Sequence, residues 1–236
     1  MLSRVADALF WMSRYLERAE HVARLLDVCF HSEIDLHGVM SGPHELQWTA
    51  LATILQMPPR TPRGDGQPHA TLSRSLSFDT DNPMSIISCI SRARYNARSI
   101  RGTINSDIWK ELNKLYWQLS DENFRRDAQQ SPHEFYAAVE TGSHLVQGVC
   151  DATMIHNEGW QFIQLGKYLE RADKTLRRQS CFIRNFTKRR WRIADAMTIA
   201  WTRHHGTSSG WDIQSGRNIR NARTSITRGN CAARCF

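Results

Sequence analysis

The chain has 236 residues, 41% of them hydrophobic, and a formal net charge of +8; that hydrophobic share suits a packed core and excludes a disordered chain. The charge is lopsided, with 11 Lys/Arg against 2 Asp/Glu in residues 180–236 and 20 against 21 in residues 1–179. A near-neutral body makes nucleic acid an unexpected partner for it. In Met1-Leu2-Ser3-Arg4-Val5-Ala6-Asp7 charges break the apolar residues too early for a signal peptide, and no apolar run reaches membrane-spanning length. A cytoplasmic protein without membrane contact is therefore expected.

In residues 2–26 the apolar positions Leu2, Val5, Leu9, Met12, Leu16, Ala19, Ala23 and Leu26 alternate spacings of three and four, which predicts a long amphipathic helix. A second helix is expected over about Pro43–Met57, followed by a Pro- and Gly-rich stretch that reads as an exposed loop over about 58–69. Asn82-Pro83 reads as an N-cap and first helical residue. It would open a third helix striped by Ile86, Ile90, Ala93, Ala97, Ile100 and Ile104. Ser106 is expected to cap a shorter helix carrying Trp109, Leu112, Leu115, Tyr116 and Leu119. Ser131-Pro132-His133-Glu134 reads as a capping box that opens another helix through Phe135, Val139, Val146 and Val149. A last helix is expected over about 157–178, and no strand pair is expected. From Ser180 the helical stripe stops, and the remainder reads as a basic, irregular tail. Either it is an interaction arm or it is sequence read out of frame.

The most informative feature is an internal repeat: Tyr15-Leu16-Glu17-Arg18-Ala19-Glu20 returns as Tyr168-Leu169-Glu170-Arg171-Ala172-Asp173. Flanking positions agree as well, with Leu9 matching Phe162, Met12 matching Leu165 and Ala23 matching Leu176. The fold class expected is an all-α helical bundle in which the two repeated long helices pack as a pseudo-symmetric pair.

A rotation of about 100° per residue places Ser13, Glu20, Arg24, Asp27 and His31 along the edge of the first stripe, with Glu17 slightly further out. Glu170, Asp173 and Arg177 take the corresponding places in the second copy. Arg94, Arg98 and Arg101 share an edge of the third helix, where they suit carboxylates or an anionic ligand. The candidate binding groove is thus Glu17, Arg18, Glu20, Arg24, Arg94, Arg98, Glu170, Arg171 and Asp173. The same residues suit an internal salt-bridge network that fixes helix register.

No residue is assigned as catalytic. The repeat lacks the Glu-x-x-His pattern of carboxylate-bridged metal bundles, so no metal ligand is assigned. Nucleotide-binding, serine-hydrolase and zinc-protease motifs do not occur, so no cofactor is expected. Six cysteines without a C-x-x-C pair read as reduced thiols.

Together, Met1–Asp7, the two repeat copies, Ser77-Phe78-Asp79, Asn82-Pro83 and Ala93-Arg94-Tyr95-Asn96-Ala97-Arg98 resemble the bacterial alpha-E domain family over most of residues 1–179. The resemblance implies an all-helical domain without characterised biochemistry. It also implies genomic association with circularly permuted ATP-grasp proteins and transglutaminase-like peptidases, and hence a role beside a peptide-ligating or peptide-modifying system. Tyr95 stands where the family usually has Glu, and residues 180–236 depart from the helical continuation of the family.

The leading expectation is a non-catalytic helical partner or scaffold for an ATP-grasp-type ligase or transglutaminase-like peptidase. Two other classes stay open: an enzyme using the Glu/Arg groove, with or without a metal, on a peptide-like substrate, and nucleic-acid binding through the tail.

Overall fold

The computed structural model describes residues 1–36, 44–57 and 68–204. Eight helices occur among them: α1 Ser3–Leu36, α2 His44–Ile54, α3 Pro68–Phe78, α4 Ile86–Ser99, α5 Ser106–Ser120, α6 Glu122–Gln130, α7 Pro132–Thr153 and α8 Glu158–His204. No strand occurs among the described residues. The chain divides into two units, 1–183 and 184–236, and the packing described below belongs to the first.

The apolar stripes explain the bundle. From Leu9 to Leu26 every stripe residue of α1 is buried, and α1 packs on α4 and α7. Ile86, Ile90, Ala93 and Ala97 return that contact from α4, while Ile108, Leu112, Leu115 and Leu119 of α5 fill the space beside α4 and α7. Leu2 departs from the stripe and is exposed, because it precedes the first helical turn.

Several helix ends differ from expectation. Ser85, not Asn82, caps α4 by accepting from the Ser88 amide, and Asn82 instead accepts from the Met84 amide in the preceding turn. Asn105, not Ser106, caps α5 through the Asp107 amide. Ser131 occupies the cap position of α7 without a side-chain cap bond, so the expected capping box does not form, and Pro132 begins the helix. Pro68 also opens α3, so residues 68 and 69 are helical and not loop; residues 58–67 lie outside the described residues. The tail requires the largest correction: α8 continues to His204, so residues 180–204 are helical and not irregular. The rest of the expected tail, 205–236, lies outside the described residues.

Two hydrogen-bonded seams fix helix directions. Asp27 meets His133, Glu20 meets His144 and Glu17 meets Gln147, so α7 runs antiparallel to α1. Ser13 donates to the Ile163 carbonyl and Arg18 to Glu170, so α1 and α8 run parallel.

The parallel pair is in close contact where Ser13 and Phe10 meet Gly166. A Cβ on Gly166 would collide with the Phe10 carbonyl oxygen and the Ser13 hydroxyl. Helix propensity favours alanine over glycine by about 1 kcal/mol, yet the clash is with backbone. Gly166→Ala is expected to lower stability by about 1–3 kcal/mol, read by urea denaturation; an unchanged or raised midpoint would show that the helices separate at no cost.

Candidate functional site

Ser13 and Gly166 stand 153 residues apart in sequence, and the same offset relates the two repeat copies. At the facing surface, Phe10, Ser13, Glu17 and His21 of α1 therefore correspond to Ile163, Gly166, Glu170 and Lys174 of α8. The ion pairs cross between the copies. Arg171 donates through Nε to Glu17 at 2.8 Å, and Arg18 grips Glu170 with two bonds, Nε at 2.7 Å and Nη2 at 2.9 Å. Each Glu-Arg dipeptide thus gives its carboxylate to the arginine of the other.

Around this exchange the partners are unequal. Glu170 also accepts from Arg14 Nε at 2.7 Å. Glu17 accepts from Gln147 of α7, which donates to Glu20 as well, at 3.0 Å. Glu20 takes Arg24 Nη2 at 2.6 Å and lies 3.1 Å from His144 Nε2. The three carboxylates are only 2–5% exposed, so their partners replace water.

Burial raises the Glu170 carboxyl, but the hydrogen bonds from Arg18 and Arg14 outweigh it and hold the group at about 2. Lys174 donates to the Glu17 carbonyl from a buried position. Burial lowers its ammonium to about 8 against the opposing pull of Glu17 and Glu170. His21 is pushed down to about 3 by burial and then by the charges of Lys174 and Arg178. Its Nε2 is buried without a hydrogen-bond partner. His21 and Lys174 share a cleft of about 330 Å³ with Arg18, Glu170, Asp173 and Arg177, closed on one side by Ile54, Leu55, Gln56 and Met84.

The structure thus brings together Glu17, Arg18, Glu20, Arg24, Glu170 and Arg171. Asp173 stands at the edge, paired with Arg177 four residues on at 2.8 Å. Arg94 and Arg98 are not in the groove. Arg94 donates to Asn113 and stacks over Tyr116, while Arg98 is exposed on α4. Tyr95 is exposed as well and stands apart from the buried carboxylates.

Arg14, His21, His144, Gln147 and Lys174 were not foreseen. Lys174 and His21 occupy equivalent repeat positions, and that was the available signal. Cys89 and Cys150 are buried free thiols, each pushed up to about 12 by burial, which makes them poor nucleophiles.

No helix among the described residues is long and apolar enough to cross a membrane. An uncharacterized protein of Mycobacterium bovis is 29% identical over 188 residues, covering 71% of this chain and 21% of its own length. Two uncharacterized proteins of Mycobacterium tuberculosis strains match at 29% and 28% with the same coverage. The chain therefore spans about a fifth of the length of the curated relatives it matches. No solved structure matches.

The profile of the Alpha-E family, "a predicted alpha-helical domain with a conserved ER motif", matches residues 1–203. That span includes 180–203, which read as departing from the family, so this stretch is family sequence. Glu-Arg occurs in this chain at two places, 17–18 and 170–171, the two dipeptides whose side chains exchange partners. The chain belongs to the Alpha-E family.

Proposed function

We propose that this protein is a non-catalytic helical docking module for a larger peptide-ligating or peptide-modifying protein of the ATP-grasp type. The observation that carries the reading is an asymmetry between the repeat copies. Met12, Leu16, Ala19 and Ala23 of the first copy are buried, whereas the equivalent Leu165, Leu169, Ala172 and Leu176 are exposed, with Tyr168 beside them. The three leucines and Tyr168 are between 44% and 63% exposed.

An apolar stripe about 16 Å long, from position 165 to 176 at 1.5 Å per residue, is a protein-docking surface by its chemistry. Its twin on α1 is covered by a helix, α4, and this favours a helical occupant. The relatives carry four-fifths of their length beyond the matched region, so in them this module is joined to additional chain. The buried carboxylates support a non-catalytic role, because each is already committed to cations of the same domain.

The test is pull-down and titration of the full chain with the ATP-grasp-type protein encoded in the same genome. Leu165→Glu/Leu169→Glu is expected to keep the helical circular dichroism and to lose at least about 30-fold in affinity, the scale of an interface hot spot. No binding by the wild-type chain would refute the partner, and equal binding by the variant would refute the surface.

A further inference from the structure

Away from the crossed ion pairs, α1 and α7 bring together a second group of polar residues. Asp27 and His31 stand four residues apart and so share one face of α1. His133, the second residue of α7, reaches the same place because α7 runs antiparallel and begins beside that turn. His133 Nδ1 is 2.8 Å from Asp27 Oδ1, and His31 Nδ1 is 3.5 Å from the same oxygen. The two imidazoles meet edge to face with centroids 4.8 Å apart. One ligand atom from each residue lies within 4.8 Å of the other two.

We propose that Asp27, His31 and His133 form a zinc site that staples α1 to the start of α7. Two imidazole nitrogens and one carboxylate oxygen are a borderline donor set suited to Zn²⁺, and a lone carboxylate is a poor cage for Ca²⁺ or Mg²⁺. Zinc bonds of about 2.0–2.2 Å set the three atoms about 3.3–3.5 Å apart; the His31–Asp27 pair already stands at 3.5 Å, the His133–Asp27 pair opens from 2.8 Å, and the two imidazoles draw together. Both histidine side chains are about half exposed, at 51% and 50%, so rotation about their side-chain torsions closes the gap without moving backbone. The same exposure leaves the fourth position to water.

Among the described residues the ion-pair partners of Asp27 are these two histidines; Arg24, one turn earlier, is engaged with Glu20 and Glu140. Zinc takes neutral imidazole, so the hydrogen that His133 Nδ1 shares with Asp27 moves to Nε2 and the metal takes its place, and His31 Nδ1 likewise leaves the Asp27 carbonyl it meets at 3.0 Å. Affinity therefore falls as pH drops. The site lies seven residues beyond Glu20, about 10 Å along α1, and zinc there would hold the end of the antiparallel seam.

The experiment is titration of the chelator-treated full chain with ZnCl₂ at pH 7.5 by calorimetry, together with thermal unfolding and the visible spectrum of the Co²⁺-loaded protein. Expected are one zinc per chain, a Tm rise of about 5–10 °C at zinc a hundredfold above Kd, and little rise at pH 5. His31→Ala/His133→Ala, compared with its own metal-free Tm, should lose the zinc response and the cobalt bands. His133→Gln alone should weaken binding by at least about tenfold. If the double variant binds zinc as the wild type does, the ligands lie elsewhere in the chain and the proposal fails. Absence of a wild-type response up to millimolar zinc also overturns it.

Discussion

Glu170→Ala is expected to destabilise the fold by about 3–5 kcal/mol, the scale of breaking a buried ion pair from one side. Its carboxylate holds two guanidiniums, Arg14 and Arg18, whose side chains are 20% and 16% exposed. Buried Lys174 stands in the same cleft. Alanine leaves three positive groups facing one another with little water to separate them.

The symmetry-related change should cost less. Glu17→Ala releases Arg171, whose side chain is 44% exposed and can rehydrate; a loss of about 1–3 kcal/mol is expected from the unmet polar groups that remain. Urea denaturation at pH 7 reads both. A double-mutant cycle of Glu170→Ala with Arg18→Ala should return a coupling of at least about 1 kcal/mol. Equal costs for the two glutamates would show that the crossing is symmetric in energy as well as in connectivity. A Glu170→Ala cost under about 1 kcal/mol would remove the lock as a source of stability. Replacing Glu170, Arg14 and Arg18 together by apolar residues of similar volume should recover much of the loss. That outcome would assign the motif to specifying helix register more than to strengthening the fold.

The register of the repeat was legible in the sequence because 153 residues separate each matched pair. The helix face used was not. Sequence reading gives each helix one apolar stripe, whereas α1 is buried on two sides: its stripe meets α4, and the face of Ser13 and Glu17 meets α8. Glu17 was therefore placed too far out, although it is among the most buried charged residues.

Arg94 and Arg98 show the opposite error. Their charge complements the carboxylates, but complementarity is not proximity, and Asn113 and Tyr116 satisfy Arg94 locally. Helix α6 escaped notice for a compositional reason. Its nine residues contain a single buried one, Ala128, so it has no apolar stripe to find. The second copy repeats apolar positions of the first, yet Leu165, Leu169 and Leu176 are exposed. Which of two matching stripes is covered depends on the neighbouring elements, which periodicity within one helix cannot reveal.

The second large effect is expected on the acid limb of stability, and it originates at His21. In the fold its imidazole is held down to about 3, against an ordinary value of 6.5. The unfolded chain therefore takes up a proton that the folded chain refuses between these values. Stability is fully present above pH 6.5 and falls as pH drops towards 3, by up to about 1.4 kcal/mol per unit. Glu170 adds a second loss of the same sign. Its carboxyl is at about 2 in the fold and 4.5 otherwise, so its contribution holds above pH 4.5 and is lost as pH falls towards 2.

Lys174 acts in a different window. Its ammonium is lowered from 10.5 to about 8, so stability gains as pH rises from 8 to 10.5. Between pH 6.5 and 5 the two carboxylate and lysine windows are silent, and His21 is isolated from them. Wild type should lose about 2 kcal/mol more than His21→Gln between pH 7 and pH 5. The comparison is made by urea denaturation at both pH values, and subtraction cancels the other histidines common to the two proteins. An equal drop in both would mean that the His21 ring reaches water and protonates without unfolding. The cleft it shares with Lys174 would then be open to solvent at the imidazole.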